Sequence, residues 1–387
     1  MVLSETLLQK ARVALVSRID TVVTETGERF PYVVDDDGTW DTTADGNWCG
    51  GHWIGLLWFA RSVAANLDDD RFDADRFDAA ARSHTETLIE YMPRDSMFCG
   101  LNFYIAGFRG YDYTGDRRLF GLGLSGADAM CDLYDEKARQ IPLGRLAIKG
   151  PEQFRGPESD HGPSGDRIGA VDNIYTALPV LWRAFIETTD PQFRDTAISH
   201  ADRHLDWYLR ADGRTWHHAV FDRDDGSLER QYNELAAGQD GCWARGQGWS
   251  VAGLARTYAE TRSDRFLEAL QRTVDYYRRK SPANDVPFWD LEVVADDETP
   301  RDTSAAALVA YGLVLLPETE ATVALRTYGQ EILETLITTY LVTDPKADAY
   351  GAVTHGCFNK PGEYATDTEL IWTNYYVARA VEHLYDV

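Results

Sequence analysis

Apolar positions recur along most of this chain at intervals of three and four residues, the spacing that gathers them on one face of an α-helix. The pattern predicts twelve helices, over 4–25, 53–68, 76–91, 100–112, 117–136, 170–188, 192–209, 248–262, 264–280, 303–316, 320–341 and 368–384. Boundary signals support several of them. Asp302-Thr303-Ser304 precedes the apolar run to Leu316, Pro317 stops it, and Asp190-Pro191 opens the helix at 192–209. The helices are of two kinds. Some carry small residues that permit close packing, as in Ala305-Ala306-Ala307 and Val251-Ala252-Gly253-Leu254-Ala255, and others, such as the one from Ser263-Asp264-Arg265 onward, are more charged. Inner helices alternating with outer ones would give that pattern. Six antiparallel pairs then make an all-α (α/α)6 toroid, a single domain over 1–387 with a funnel at one end.

Between the helices run long loops rich in Gly, Pro, Asp and aromatics, notably 26–52, 139–169, 210–247, 281–302 and 343–367. Loops of this length are usually functional or disordered. They hold Trp40, Trp48, Trp216, Trp243 and Trp289. Ordered aromatic loops over a funnel suit the stacking of sugar rings, and equally the sealing of loops to the barrel.

Composition narrows the partners. The 387 residues include 63 acidic and 38 basic ones, a net charge of -25, so a polyanion is repelled and nucleic acid is an unfavourable partner. Only Lys10, Lys137, Lys149, Lys280, Lys346 and Lys360 are lysines, so arginine supplies most of the positive charge. An acid-rich, lysine-poor surface suits molar salt, where self-repulsion is screened within a few ångströms, and the expectation is a salt-accumulating cytoplasm. No apolar run approaches the length of a membrane span, and Glu5, Lys10 and Arg12 interrupt any signal-like core near the start. Cys49, Cys99, Cys131, Cys242 and Cys357 are scattered without metal-ligand spacing, as expected of reduced structural thiols.

Three stretches could carry chemistry. Val171-Asp172-Asn173 leads a polar loop into the apolar run from Ile174; a carboxyl among aliphatic neighbours loses solvation and gains proton affinity, which suits a general acid. Asp172 could equally be a helix N-cap. Trp243-Ala244-Arg245-Gly246-Gln247-Gly248-Trp249 sets an arginine between tryptophans, able to pair with a ligand carboxylate or with a structural one. His217-His218 precedes an apolar strand and the turn Asp224-Asp225-Gly226, and could bind hydroxyls or assist proton transfer. Gly121 to Gly126 spells GxGxxG, but no strand precedes it, so close helix packing is the better reading. P-loop, HExxH and GxSxG patterns are absent from the sequence.

Taken in order, several fragments resemble the unsaturated glucuronyl hydrolases of glycoside hydrolase family 88, and more distantly the unsaturated rhamnogalacturonyl hydrolases of family 105. They are Trp48-Cys49-Gly50-Gly51-His52-Trp53, Val171-Asp172-Asn173, Ala244-Arg245-Gly246-Gln247-Gly248-Trp249, Arg301-Asp302-Thr303-Ser304, Thr354-His355-Gly356, Asn359-Lys360-Pro361 and Asp367 to Tyr376. The resemblance implies an (α/α)6 barrel without metal or cofactor that hydrates the C4–C5 double bond of the unsaturated uronic acid left by polysaccharide lyases. It implies Asp172 as the catalytic acid and base, and Trp48, His217 or His218, Arg245 and Trp249 as residues contacting a uronic-acid-containing oligosaccharide. One departure stands out. Phe98 occupies the place of a second family aspartate, and Asp95, Asp160 or His161 are candidates to replace it. That loss keeps two other readings open: a different uronate-directed enzyme on the same scaffold (a lyase, an epimerase or a hydrolase of saturated uronides), and a non-catalytic carbohydrate-binding protein.

Overall fold

The computed structural model describes residues 3–67, 71–145 and 165–385. Each predicted helix is present. In chain order they are α1 (Glu5–Thr26), α2 (Gly50–Asn66), α3 (Ala74–Tyr91), α4 (Met97–Phe103), α5 (Gly110–Thr114), α6 (Arg117–Leu133), α7 (Asn173–Thr188), α8 (Pro191–Trp207), α9 (Ala244–Thr261), α10 (Asp264–Lys280), α11 (Thr303–Val314), α12 (Val323–Thr335) and α13 (Ile371–Tyr385). Helix α4 passes into α5 through a π-helical stretch, Tyr104–Arg109, so the two occupy one predicted segment; a second π stretch, Leu336–Tyr340, extends α12. Side-chain caps set several starts: Ser4 accepts from the Leu7 amide, Asp116 from that of Arg118, and Asp190, followed by Pro191, from that of Gln192.

The two kinds of helix separate into two layers. Helices α2, α4, α7, α9, α11 and α13 each pack on the next, and α13 closes on α2. Every residue of α11 is buried, as are Ile371 to Glu382 of α13, so these helices need apolar or small residues on all sides. Outside them lie α1, α3, α6, α8, α10 and α12. Helix α10 buries Phe266, Leu267, Leu270, Thr273, Val274 and Tyr277, one stripe at helical spacing, and ends in exposed Arg278, Arg279 and Lys280. The result is the (α/α)6 arrangement. Glycines of the GxGxxG spelling serve contact: a Cβ on Gly123 would lie 2.5 Å from the Phe108 ring, and one on Gly126 2.7 Å from Phe103.

Short antiparallel sheets decorate the loops. Strands β1 (Phe30–Val34) and β2 (Trp40–Thr43) form a hairpin, and β3 (Ile168–Ala170), β4 (His218–Phe221) and β5 (Leu228–Tyr232) form a sheet in the order β3-β4-β5. The hairpin expected after the histidine pair is β4–β5, with Gly226 at φ +75° in its turn. The helix expected from residue 170 begins at Asn173 instead, because Ile168, Gly169 and Ala170 pair with Val220, Ala219 and His218. All five cysteines are free thiols, and burial pushes the Cys242 thiol up to about 12. Among the described residues, no helix is long and apolar enough to cross a membrane.

Candidate active site

The inner helices bring their N-terminal ends together at one end of the barrel. Trp48 before α2 meets Phe98 of α4 and Trp372 of α13, Val171 before α7 lies beside Gly246 of α9, and Arg245 of α9 reaches Asp302 before α11. Strand β3 delivers Asp172 to this end. The Val171 amide donates to the His217 carbonyl at 2.8 Å, and the Asp172 carbonyl accepts from the Tyr175 and Thr176 amides, opening α7.

Asp172 thus stands at an N-cap position without capping: its side chain accepts no bond from the helix. Its Oδ2 is buried and has no hydrogen-bond partner. The nearest cationic or neutral base is His217, with Nε2 at 3.9 Å. Burial raises the carboxyl to about 6, against the opposing pull of His218 and Arg245. A carboxyl with that affinity exchanges its proton near neutrality, as a general acid and base must.

The histidines form a stack beside it. Residues that alternate along a strand point to opposite faces, but β4 starts only at His218, which frees His217 to fold over its neighbour with ring centres 3.7 Å apart. Trp243 lies against the other side of His217 at 4.6 Å. His217 rather than His218 is the ring that reaches Asp172. Glu234, which the sequence did not single out, sits 2.9 Å from His218 Nε2. His217, His218 and Glu234 bring three metal-ligating atoms within 4.8 Å of one another. His217 Nδ1 already accepts from the Leu235 amide, however, a poor fit to the converging ligands of a metal centre.

Arg245 lies deeper than a ligand contact requires. Its Nη1 donates to Asp302 Oδ2 at 3.1 Å, Ser304 Oγ at 3.2 Å and the Cys357 carbonyl at 2.6 Å, and its Nη2 donates to the Phe358 carbonyl at 2.7 Å. The pair is buried on both sides. Of the two roles open to it, the structure shows the structural pair: Arg245 anchors the 355–367 loop to the starts of α9 and α11. Trp249 is also buried, packed between Tyr175 and Tyr376 in an aromatic floor that includes Tyr311 and His52. Burial pushes Tyr175 and Tyr376 well above the usual phenol range, so they remain protonated. Trp48 closes the rim, its indole donating to the Tyr32 hydroxyl at 2.9 Å and lying 4.8 Å from Trp372.

Of the candidates for a second acid, only Asp95 lies among the described residues, and it does not join this group. Asp95 is exposed and paired with Arg145 at 3.0 Å, while Asp160 and His161 lie outside the described residues. Phe98 is buried beside Trp48, held by the Ser96 cap at the start of α4.

A sequence model of Glycosyl Hydrolase Family 88 matches residues 170–386, from the strand before Asp172 to the end of α13. The chain belongs to glycoside hydrolase family 88. Among curated members, the unsaturated chondroitin disaccharide hydrolase of Streptococcus pneumoniae is 26% identical over 280 residues, covering 71% of this chain and 67% of that protein. The unsaturated glucuronyl hydrolase of Bacillus sp. (strain GL1) is 27% identical over 212 residues, 54% of this chain and 56% of that one, so the matched part spans about half of that relative. An unsaturated glucuronyl hydrolase specific for heparin superposes with a TM-score of 0.83 at 23% identity, covering 99% of this chain and 98% of the other. At that identity the superposition establishes the shared (α/α)6 fold of family 88.

Proposed function

We propose that this family 88 member removes a 4,5-unsaturated uronic acid from the non-reducing end of lyase-generated oligosaccharides, with Asp172 as general acid and then general base. The observation that carries the reading is the Asp172 carboxyl, whose Oδ2 is buried without a hydrogen-bond partner and whose proton affinity burial raises to about 6. In the first step its proton goes to C4, the C4–C5 π electrons form the new C–H bond, and positive charge develops at C5, shared with the ring oxygen. A water then adds to C5 and its proton returns to the Asp172 carboxylate. The resulting hemiketal opens, breaking the bond between C5 and the ring oxygen to leave a ketone at C5 and a hemiacetal at C1. That hemiacetal expels the neighbouring sugar, so one water is consumed overall and the enzyme ends protonated as it began.

Surrounding residues suit this sequence. The His217 ring lies against the acid, and half-buried Phe358, backed by Trp48 and Trp372, offers an apolar edge to a sugar. The clustered N-terminal ends of six inner helices place partial positive charge at this end, which favours a uronate carboxylate despite the net charge of -25. That same charge fits work in molar salt, in the salt-rich cytoplasm expected from the composition.

Hydration destroys the conjugated alkene. Incubation with lyase-digested uronic-acid polysaccharides is expected to lower its ultraviolet absorbance, and Asp172→Asn to abolish the fall while leaving the fold intact. A rise would mark a lyase. No change across a broad panel with folded protein would overturn the proposal.

A further inference from the structure

Ser4, Asp73, Asp116 and Asp190 open their helices in the usual way. Each stands on extended backbone, with ψ of 141°, 104°, 112° and 116°, and its side chain accepts an amide two or three positions on. Asp172 holds the same place before α7 on helical backbone, φ -60° and ψ -30°, and its side chain caps nothing. Thr322, helical at φ -117° and ψ -12°, likewise accepts no cap bond. The helical conformation at Asp172 therefore turns its carboxyl away from the amides of α7.

Asn173 supplies the restraint. Successive amides of an antiparallel strand face opposite sides; that of Val171 donates across to the His217 carbonyl, and that of Ala170 donates instead to Asn173 Oδ1 at 3.2 Å. This bond closes a ring around Val171 and Asp172. Asn173 Nδ2 in turn donates to the Ile141 carbonyl, and Ile141 is fixed from α8, its amide donating to His200 Nδ1 at 3.2 Å. Asn173 is fully buried, so the two backbone groups it satisfies have no water to replace it.

We propose that Asn173 is a positioning residue: the bond from the Ala170 amide to its Oδ1 holds the turn between β3 and α7 in the conformation that keeps Asp172 from capping α7 and presents its carboxyl to the site. The proposal rests on the role given to Asp172 above. Released from Asn173, Asp172 relaxes to extended backbone and accepts the Ile174 amide, as Asp190 accepts that of Gln192. A capping carboxylate is favoured in its charged form by that bond and by the helix N-terminus, and it no longer holds a proton near neutrality. The groups facing Asp172, which are His217, His218, Arg245 and Tyr208, are left in place by a change at residue 173.

The test uses difference infrared spectra of the whole protein, each Asn173 variant against the same variant carrying Asp172→Asn, together with steady-state kinetics. Asn173→Ala is expected to move the carboxyl midpoint from about 6 toward that of an ordinary aspartate near 4. It should also lower kcat on an unsaturated uronide by about 10²-fold, with KM little changed because Asn173 is buried and touches no sugar. Asn173→Ser, whose hydroxyl is too short to make either bond but keeps a polar group in place of the amide, gives the same reading if the alanine variant folds poorly. Asn173→Asp keeps an acceptor for the Ala170 amide and should hold the midpoint at about 6 or above. A residue that merely stabilised the fold would lower Tm on replacement and leave the midpoint alone. A midpoint still near 6 in folded Asn173→Ala or Asn173→Ser would overturn the proposal, as would a fall in Asn173→Asp or a wild-type midpoint already near 4. The spectra need no substrate, so a chain inactive on unsaturated uronides would count against the proposed reaction and not against the positioning role.

Discussion

Two aspartates stand in equivalent places at the same end of the barrel, each just before an inner helix, and they are treated in opposite ways. Asp302 accepts from the Ser304 amide at 3.0 Å, the Ser304 hydroxyl at 2.5 Å and Arg245 at 3.1 Å. Asp172 caps nothing, and its Oδ2 has no partner. Asp302 is fully buried, and Asp172 keeps 16% of its side chain exposed while its Oδ2 is buried. Satisfaction of the carboxylate separates a structural anchor from a group poised to exchange a proton, because burial without donors penalises the charged form.

The largest effect that would sharpen this contrast is catalytic. Asp172→Asn keeps the shape but cannot give or take the proton, and should lower kcat on an unsaturated uronide by about 10³-fold or more, read from single-turnover absorbance. Asp302→Asn should instead act on stability. Removing one partner of a buried pair leaves the Arg245 charge uncompensated, at a cost of about 3–5 kcal/mol in denaturant unfolding, and the 355–367 loop should lose protection from hydrogen exchange. The double replacement Arg245→Met with Asp302→Leu should cost less than Asp302→Asn alone, since it strands no charge.

A smaller effect has the opposite sign. The Asp172 carboxyl holds its proton to a pH near 6 when folded and near 4 when unfolded, so its contribution to stability is complete below about pH 4 and is lost as pH rises through 6. Asp172→Asn, with nothing to ionise, should therefore be more stable than the wild type above pH 6, by about 2–3 kcal/mol, and equal to it near pH 4. Loss of activity together with gain of stability would mark a functional group; Asp302→Asn should show no such gain. The smallest effect is that of salt. Exposed pairs such as Arg265 with Asp202 contribute little each, but screening the repulsion of a -25 chain should raise Tm by several degrees between 0.1 and 2 M KCl. A flat response would remove the halophilic expectation.

Much of the fold was legible because helices are local. A period of three to four residues identifies α10 from one stripe of apolar positions, and the small-residue composition of α11 marks it as inner without knowledge of its neighbours. Strand β3 was not legible: Ile168-Gly169-Ala170 is three residues long and exists through its pairing with 218–220, some fifty positions away. The site divides in the same manner. Asp172 could be recognised from its apolar surroundings, but whether it capped α7 depended on backbone geometry. Arg245 between tryptophans left a ligand carboxylate and a structural one equally open, because Asp302 lies 57 positions on. Glu234 gave no signal beyond its place after a strand, since only the turn held by Asn233 carries it to His218.

The central claim is that the Asp172 carboxyl titrates near 6 because burial disfavours its charged form and its Oδ2 has no hydrogen-bond partner. Difference infrared spectra of wild type against Asp172→Asn, taken from pH 4 to 8, read that carboxyl directly. The account predicts a protonated C=O band that disappears with a midpoint near 6; a midpoint near 4, the value of an ordinary aspartate, would contradict it.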